Sequence, residues 1–246
     1  MRPARFNKIE GDTATYQLGG GGLCVAMCHE AGSVAVDIET LGLGLDAYTT
    51  KAVVISTTEH AHILDPVADR LAIIDSLDAA TELVMHNAPF DAPILVATGL
   101  MRLDHVGKVF DTIVLARQCT PGFGSKALGD SCERHLGPGY AVAKKGLETH
   151  DRALTGKSKA TMFAELGLED PAYVLYAGFD GVLTARLRKA LPGAFESFTH
   201  AHPFPRTDVD ASALLDREQI VNRMLLRRMC IGIEIDGDVI DELIDE

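Results

Sequence analysis

The sequence has no Cys-x-x-Cys pair among its five cysteines, Cys24, Cys28, Cys119, Cys132 and Cys230. That removes the usual redox and paired-thiolate signatures and argues for a reduced protein without a disulfide framework. Cys24, Cys28 and His29 lie close together, but no second ligand pair accompanies them, so a zinc site is not expected. An apolar run long enough to span a membrane is also missing, and no charged-then-apolar leader opens the chain. A cytoplasmic protein with no membrane partner is the expectation. Internal repeats and low-complexity tracts are absent. Basic charge is scarce: 23 Lys and Arg stand against 35 Asp and Glu, a formal net charge of −12. A simple nucleic-acid-binding module would normally be basic. An enzyme that gathers carboxylates around metal ions is not excluded, because the cations change the local sign.

What is present is ordinary in bulk and specific in detail. The 246 residues suit one large domain, or one domain with an appendage. Residues 1–32 are polar and Gly-rich and read as an N-terminal extension. It is broken at Gly19-Gly20-Gly21-Gly22, and any strand within it, from Thr13 to Leu18, is peripheral. Val34–Thr40 reads as a strand, Ala52–Ser56 and His62–Asp65 as a hairpin, and Val67–Ala80 as a helix. Short strands at Leu83–Asn87 and Val109–Phe110 then alternate with helices at Pro89–Thr98 and Ile113–Gln118. Lys126–Leu136 is amphipathic, and residues 137–160 form the longest expected loop. Pro171–Leu191 is the best helix. A main domain over 33–192, a Pro-containing linker over 193–211 and a C-terminal helical segment over 212–246 complete the chain. The element order predicts an α/β fold with a mixed sheet flanked by helices.

Three short constellations carry chemistry. Asp37 and Glu39 end the Val34–Thr40 strand and, two residues apart, project to the same face roughly 6–7 Å from each other. Like charges at that spacing call for neutralisation, and a hard divalent cation with oxygen ligands supplies it. Isolated, the pair is also an ordinary solvated strand end. In His86-Asn87-Ala88-Pro89-Phe90-Asp91 a strand gives way to a helix, with Asp91 in the first turn. Asn as cap, Pro in the first turn and Asp near the helix dipole form an equally good structural pattern. Tyr176 and Asp180 stand four apart on the long helix and share a face. Gly178 between them costs about 1 kcal/mol relative to Ala in a helix interior.

Taken together and in this order, Asp37-x-Glu39, Asn87-x-x-Phe90-Asp91 and Tyr176-x-x-x-Asp180 resemble the motifs of the DEDD 3′–5′ exonuclease superfamily, in its tyrosine-bearing branch. Phe110-Asp111-Thr112, Leu128–Leu136 and Ala172–Leu191 extend the resemblance to the proofreading domain of family A DNA polymerases. Glu218–Asp236 is similar to the segment that joins that domain to the polymerase proper. The resemblance spans roughly residues 33 to 246 and ends where polymerase motifs would begin. The chain is therefore a separate exonuclease or a piece of a longer enzyme. Gly178 and Gly181 depart from the alanine- and acid-rich run common after that tyrosine.

The resemblance implies an RNase H-like mixed five-stranded sheet with helices on both faces and a C-terminal helical appendage. It implies two divalent metal ions, Mg²⁺ or Mn²⁺, held by Asp37, Glu39, Asp91 and Asp180. Asp37 would touch both, Glu39 and Asp180 would complete the water-activating site, and Asp91 would hold the second ion through water. Tyr176 would orient the attacking water, since a phenol ionising near about 10 is a poor base at neutral pH. Thr40, Leu43, Asn87, Phe90 and Tyr176 would meet the terminal nucleotide, with Leu43 as a wedge against its base. Lys144, Lys145, Lys157 and Lys159 are candidate phosphate contacts. The implied substrate is a single-stranded or frayed DNA 3′ end, the product a nucleoside 5′-monophosphate, and a separate DNA polymerase a possible partner. An RNase D-like exoribonuclease shares the same motifs. A non-catalytic module that binds DNA or a polymerase, and a purely structural RNase H-like domain, are the alternatives from other classes.

Overall fold

Period-two alternation along Ser33–Thr40 sends Val34, Val36 and Ile38 to one side of the sheet and Ala35, Asp37 and Glu39 to the other. That division organises the molecule. The computed structural model describes residues 12–120, 122, 124–140, 165–201 and 211–233. In chain order these form β1 (Thr15–Leu18), α1 (Gly21–Ala31), β2 (Ser33–Thr40), β3 (Thr50–Ser56), β4 (His60–Leu64), α2 (Arg70–Ala79), β5 (Glu82–Met85) and α3 (Ala88–Ala97). They continue with β6 (Val109–Asp111), α4 (Thr112–Cys119), α5 (Leu128–Leu136), α6 (Pro171–Ala201) and α7 (Ala211–Ile231).

The strands run in the order β1-β4-β3-β2-β5-β6. β2 pairs antiparallel with β3 and parallel with β5, so the strand bearing Asp37 and Glu39 is central. The sheet is mixed and helices cover both faces, as expected, but it has six strands rather than five. The peripheral strand joins it, pairing parallel with β4 at the edge. On one face Val34, Val36, Ile38, Val53, Ile55, Leu83 and Met85 pack with residues of α1, α2 and α3. On the other, Ala52, Val54, Ala61 and Ile63 pack under α6, while Phe110 joins α4, α5 and the rest of α6.

Two expectations are corrected. The Gly-rich segment before residue 33 is not merely an extension. After Gly20 in a left-handed conformation, the chain turns into α1, whose Cys24 and Cys28 are fully buried in the core. A Cβ on Gly21 would lie 2.4 Å from that of Ala72, so the glycine that reads as a break permits α1 to touch α2. The start of the linker is helical as well: α6 continues through Pro192 to Ala201. An interior proline costs about 3 kcal/mol, but Leu187, Leu191 and Phe195 recur at helical spacing on a buried face and hold the helix together. Residues 141–164, with Lys144, Lys145, Lys157 and Lys159, lie outside the described residues. So do 202–210 and 234–246, the end of the expected C-terminal helical segment.

α7 closes the open edge of the sheet. Gln219 accepts from the Asp111 amide at 3.1 Å and donates to its carbonyl at 2.9 Å, pairing the backbone that edge strand β6 leaves unpaired. Leu226 is buried with the residues around α3. No helix among the described residues is long and apolar enough to cross a membrane.

Candidate functional site

Cross-strand partners in an antiparallel pair share a face. Asp37 lies opposite Val54 and Glu39 opposite Ala52, so both carboxylates lie on the α6 side. Val54 and Ala52 are fully buried beneath that helix, whereas Asp37 and Glu39 stay half-buried toward the end of β2.

The approach of α6 is set by its glycines. A Cβ at Gly181 would stand 2.7 Å from Ser56 Oγ and 2.8 Å from Val54 Cγ1; one at Gly178 would stand 2.5 Å from Tyr16 Cδ1. Side chains of ordinary size would lift the helix away. Asp180 immediately precedes Gly181 and is buried, 7% exposed. It thus lies on α6 where the helix crosses β3 at Val54, one strand from Asp37. Further along, Arg186 makes a bidentate pair with Asp12 and donates to the Thr58 carbonyl. Arg188 pairs with Glu82 and lies 3.9 Å from the centre of the Phe110 ring. These ties fix α6 along its length.

Asp91 comes from the opposite direction. β2 and β5 stay paired only as far as Ala35 and Val84, and α3 begins where they part. Asp91, in the first turn of α3, is 3% exposed and accepts a hydrogen bond from the Ile38 amide. Burial raises its carboxyl well above the ordinary range, and the charges of Asp37, Asp111 and Glu39 push the same way. Asp111 holds the turn: its carboxylate accepts from the amides of Asn87 (3.0 Å) and Ala88 (3.0 Å) and caps α4 through Ile113 (3.0 Å). His86 completes the arrangement, bonded to Thr112 Oγ1 and the Lys126 carbonyl. Asn87 occupies the cap position but makes no side-chain capping bond. Its φ of 75° is the only positive value at a non-glycine among the described residues, and it is exposed.

The remaining expected contact residues are dispersed around this point. Leu43 is 80% exposed ahead of a 3₁₀ turn over Gly44–Tyr48. Thr40 donates to the Gly42 carbonyl at 2.8 Å, and Phe90 is half-buried against the core. Tyr176 is 6% exposed within the cluster formed by Ala52, Val54 and Tyr173.

Two residues that the motifs do not name stand beside the acids. Tyr173 is fully buried; burial first, then the charges of Glu39 and Asp37, drive its hydroxyl far above the ordinary range. Lys51 places its ammonium 4.5 Å from the centre of that ring and donates to the Leu166 carbonyl at 2.5 Å. Burial draws Lys51 below its ordinary range, while Glu39 and Glu169 support the charged form. Tyr173 was discoverable from spacing, since it lies three and seven residues before Tyr176 and Asp180 on one helix face. Lys51 carried no such signal.

Asp37, Glu39, Asp91 and Asp180 are oxygen donors, with no thiolate or imidazole among them. That chemistry fits a hard divalent cation. Asp37, Glu39 and Asp180 lie on the α6 side of the sheet, and Asp91 reaches the backbone of β2 from α3. Among the described residues no group of three His, Cys, Asp or Glu side chains is close enough to hold an ion.

No protein-family model matches the chain. It is 30% identical over 171 residues to a DNA polymerase of Mycobacterium phage D29 and 29% identical over 170 residues to that of phage L5. Each match covers 64% of this chain and only 28% of the polymerase. Among solved structures, Trypanosoma brucei RNase D, determined with GMP, superposes with a TM-score of 0.58 at 14% identity. That superposition covers 90% of this chain and 66% of the other.

Proposed function

Starting from the fact that the chain has the fold of the DEDD 3′–5′ exonucleases, we propose that it hydrolyses DNA from the 3′ end, releasing nucleoside 5′-monophosphates. The observation that carries this reading is Asp91. A buried carboxyl, bonded to the backbone of β2 and facing the charges of Asp37 and Glu39, is costly to ionise, and bound cations would offset that cost. The proposed metal-binding residues are Asp37, Glu39, Asp91 and Asp180. Bound there, two divalent ions, Mg²⁺ or Mn²⁺, would supply an activated water and charge stabilisation for the departing 3′ oxygen.

The chain's own residues have distinct parts in this proposal. Tyr176 orients the attacking water by a hydrogen bond. Asp111 and the left-handed Asn87 hold the turn that sets Asp91 against β2. Leu43 and Leu45, 80% and 89% exposed, offer apolar surface on which a terminal base stacks. Gly178 and Gly181 hold α6 against the sheet.

DNA is the substrate favoured by the phage DNA polymerase alignments; proofreading or replication and repair, with a polymerase as partner, follow as the setting. An RNase D-like ribonuclease is the second reading, supported by the superposition on RNase D. Digestion of 5′-labelled and 3′-labelled DNA and RNA oligonucleotides, with Mg²⁺, Mn²⁺ or EDTA, tests polarity, substrate and metal dependence together. A ladder from 5′-labelled DNA with early release of the 3′ label, abolished by EDTA, is expected. Cleavage in EDTA, or from the 5′ end, contradicts the proposal; RNA cut in preference to DNA selects the second reading.

A further inference from the structure

In the pairing of β2 with β3, Glu39 faces Ala52 while Thr40 faces Thr50. Lys51 is therefore the extra residue of a β-bulge directly beside Glu39. Strict alternation would carry Lys51 to the side of Val53 and Ile55, into the core opposite α6. A bulge re-aims its extra side chain, and here the ammonium crosses to the α6 side. There it meets the Tyr173 ring at 4.5 Å and the Leu166 carbonyl at 2.5 Å, 115 residues away in sequence.

Leu166 belongs to the short turn that leads into α6. Leu166 and Leu168 pack against the cluster under the helix. Asp170 caps α6 by accepting from the Ala172 amide at 2.8 Å and, through its carbonyl, from the Val174 amide. Lys51 thus joins the strand end that bears Glu39 to the turn from which Tyr173, Tyr176 and Asp180 are launched along one helix face. The same cation holds both the turn that leads into α6 and an aromatic ring on the helix itself.

We propose that Lys51 is a positioning residue: from the bulge beside Glu39 it latches the leading turn of α6 to the sheet and thereby sets Tyr176 and Asp180 over Asp37 and Glu39. The inference rests on the exonuclease reading of the site. It assigns Lys51 no contact with substrate.

The test compares Lys51→Met and Lys51→Arg with the unaltered chain by amide hydrogen exchange, thermal unfolding and steady-state cleavage of single-stranded DNA. In Lys51→Met, exchange at residues 168–176 rises at least about tenfold while the β2–β5 amides keep their protection. kcat falls about 10- to 100-fold, the scale of an ångström's misplacement, with KM within about twofold. Lys51→Arg, which keeps the charge and the ring contact, recovers most of kcat. Unaltered exchange in Lys51→Met overturns the proposal, as does a kcat loss matched by the loss of folded protein. A raised KM at constant kcat also overturns it, because Lys51 would then be contacting DNA. If the unaltered chain proves inactive while the exchange difference stands, the nuclease reading fails and the latch on α6 survives it.

Discussion

Replacing Gly181 by Ala adds one methyl group where α6 crosses the sheet. The new carbon would begin 2.8 Å from Val54 Cγ1 and 2.7 Å from Ser56 Oγ. Carbon contacts settle near 3.5–4.0 Å, so about 0.7–1.2 Å of separation must be found. Val54 is fully buried and paired with Asp37, and Ser56 is fully buried too, so neither yields freely. Overpacking of this kind costs about 1–3 kcal/mol, while Gly→Ala in a helix returns about 1 kcal/mol. The net loss of stability is therefore small, about 0–2 kcal/mol. Activity should respond far more, because the displaced backbone carries Asp180, and an ångström at such a site costs on the order of 100-fold in rate. Gly193→Ala is the control: it lies in the same helix with open space around its Cβ, and should stabilise by about 0.5–1 kcal/mol with cleavage unchanged. Urea unfolding and single-turnover cleavage of single-stranded DNA measure both quantities. Full activity in Gly181→Ala at unchanged stability would refute the argument that close approach of α6 builds the site.

Further expectations concern individual side chains. The raised carboxyl of Asp91 holds its proton to higher pH in the folded chain than in the unfolded one. The stability linked to it is complete below the ordinary value of 3.8 and is lost as pH rises through the folded value. Asp91→Asn should therefore gain stability over the unaltered chain as pH rises in EDTA, and lose that advantage with Mn²⁺; urea titrations across pH check the sign. Asn87→Ala, forced to adopt φ near 75°, should cost about 1–2 kcal/mol, and Asn87→Gly almost nothing; unfolding midpoints distinguish them. Tyr176→Phe should lower kcat about 10- to 100-fold with KM nearly unchanged, and Tyr173→Phe much less; the reverse order in steady-state assays would transfer the water-orienting part to Tyr173.

Much of this was legible because the informative spacings are local. Asp37 and Glu39 share a face by the pleat alone, and Tyr176 and Asp180 by the helical turn alone. The hairpin and the strand–helix alternation indicated a mixed sheet flanked by helices, whereas the central place of β2 emerges only from the strand pairing. Lys51 was invisible because its direction depends on a register shift between two strands. Composition cannot report a register. The extra length of α6 was hidden by Pro192, whose local penalty is overcome by long-range burial of Leu187, Leu191 and Phe195. α1 was hidden for a related reason: a glycine run signals a break in isolation, yet Gly21 is what lets that helix meet α2. Gly178 and Gly181 looked like departures from a pattern until the sheet beneath them was seen.

In the proposed site Asp37, Glu39, Asp91 and Asp180 enclose divalent cations. Anomalous diffraction from a crystal soaked in Mn²⁺ addresses it most directly. Density is expected within about 2.1 Å of Asp37 carboxylate oxygens, shared with Glu39 and Asp180 and approached by Asp91, and it should be lost in Asp37→Ala. Manganese bound elsewhere, with those four carboxylates unligated, would contradict the proposal.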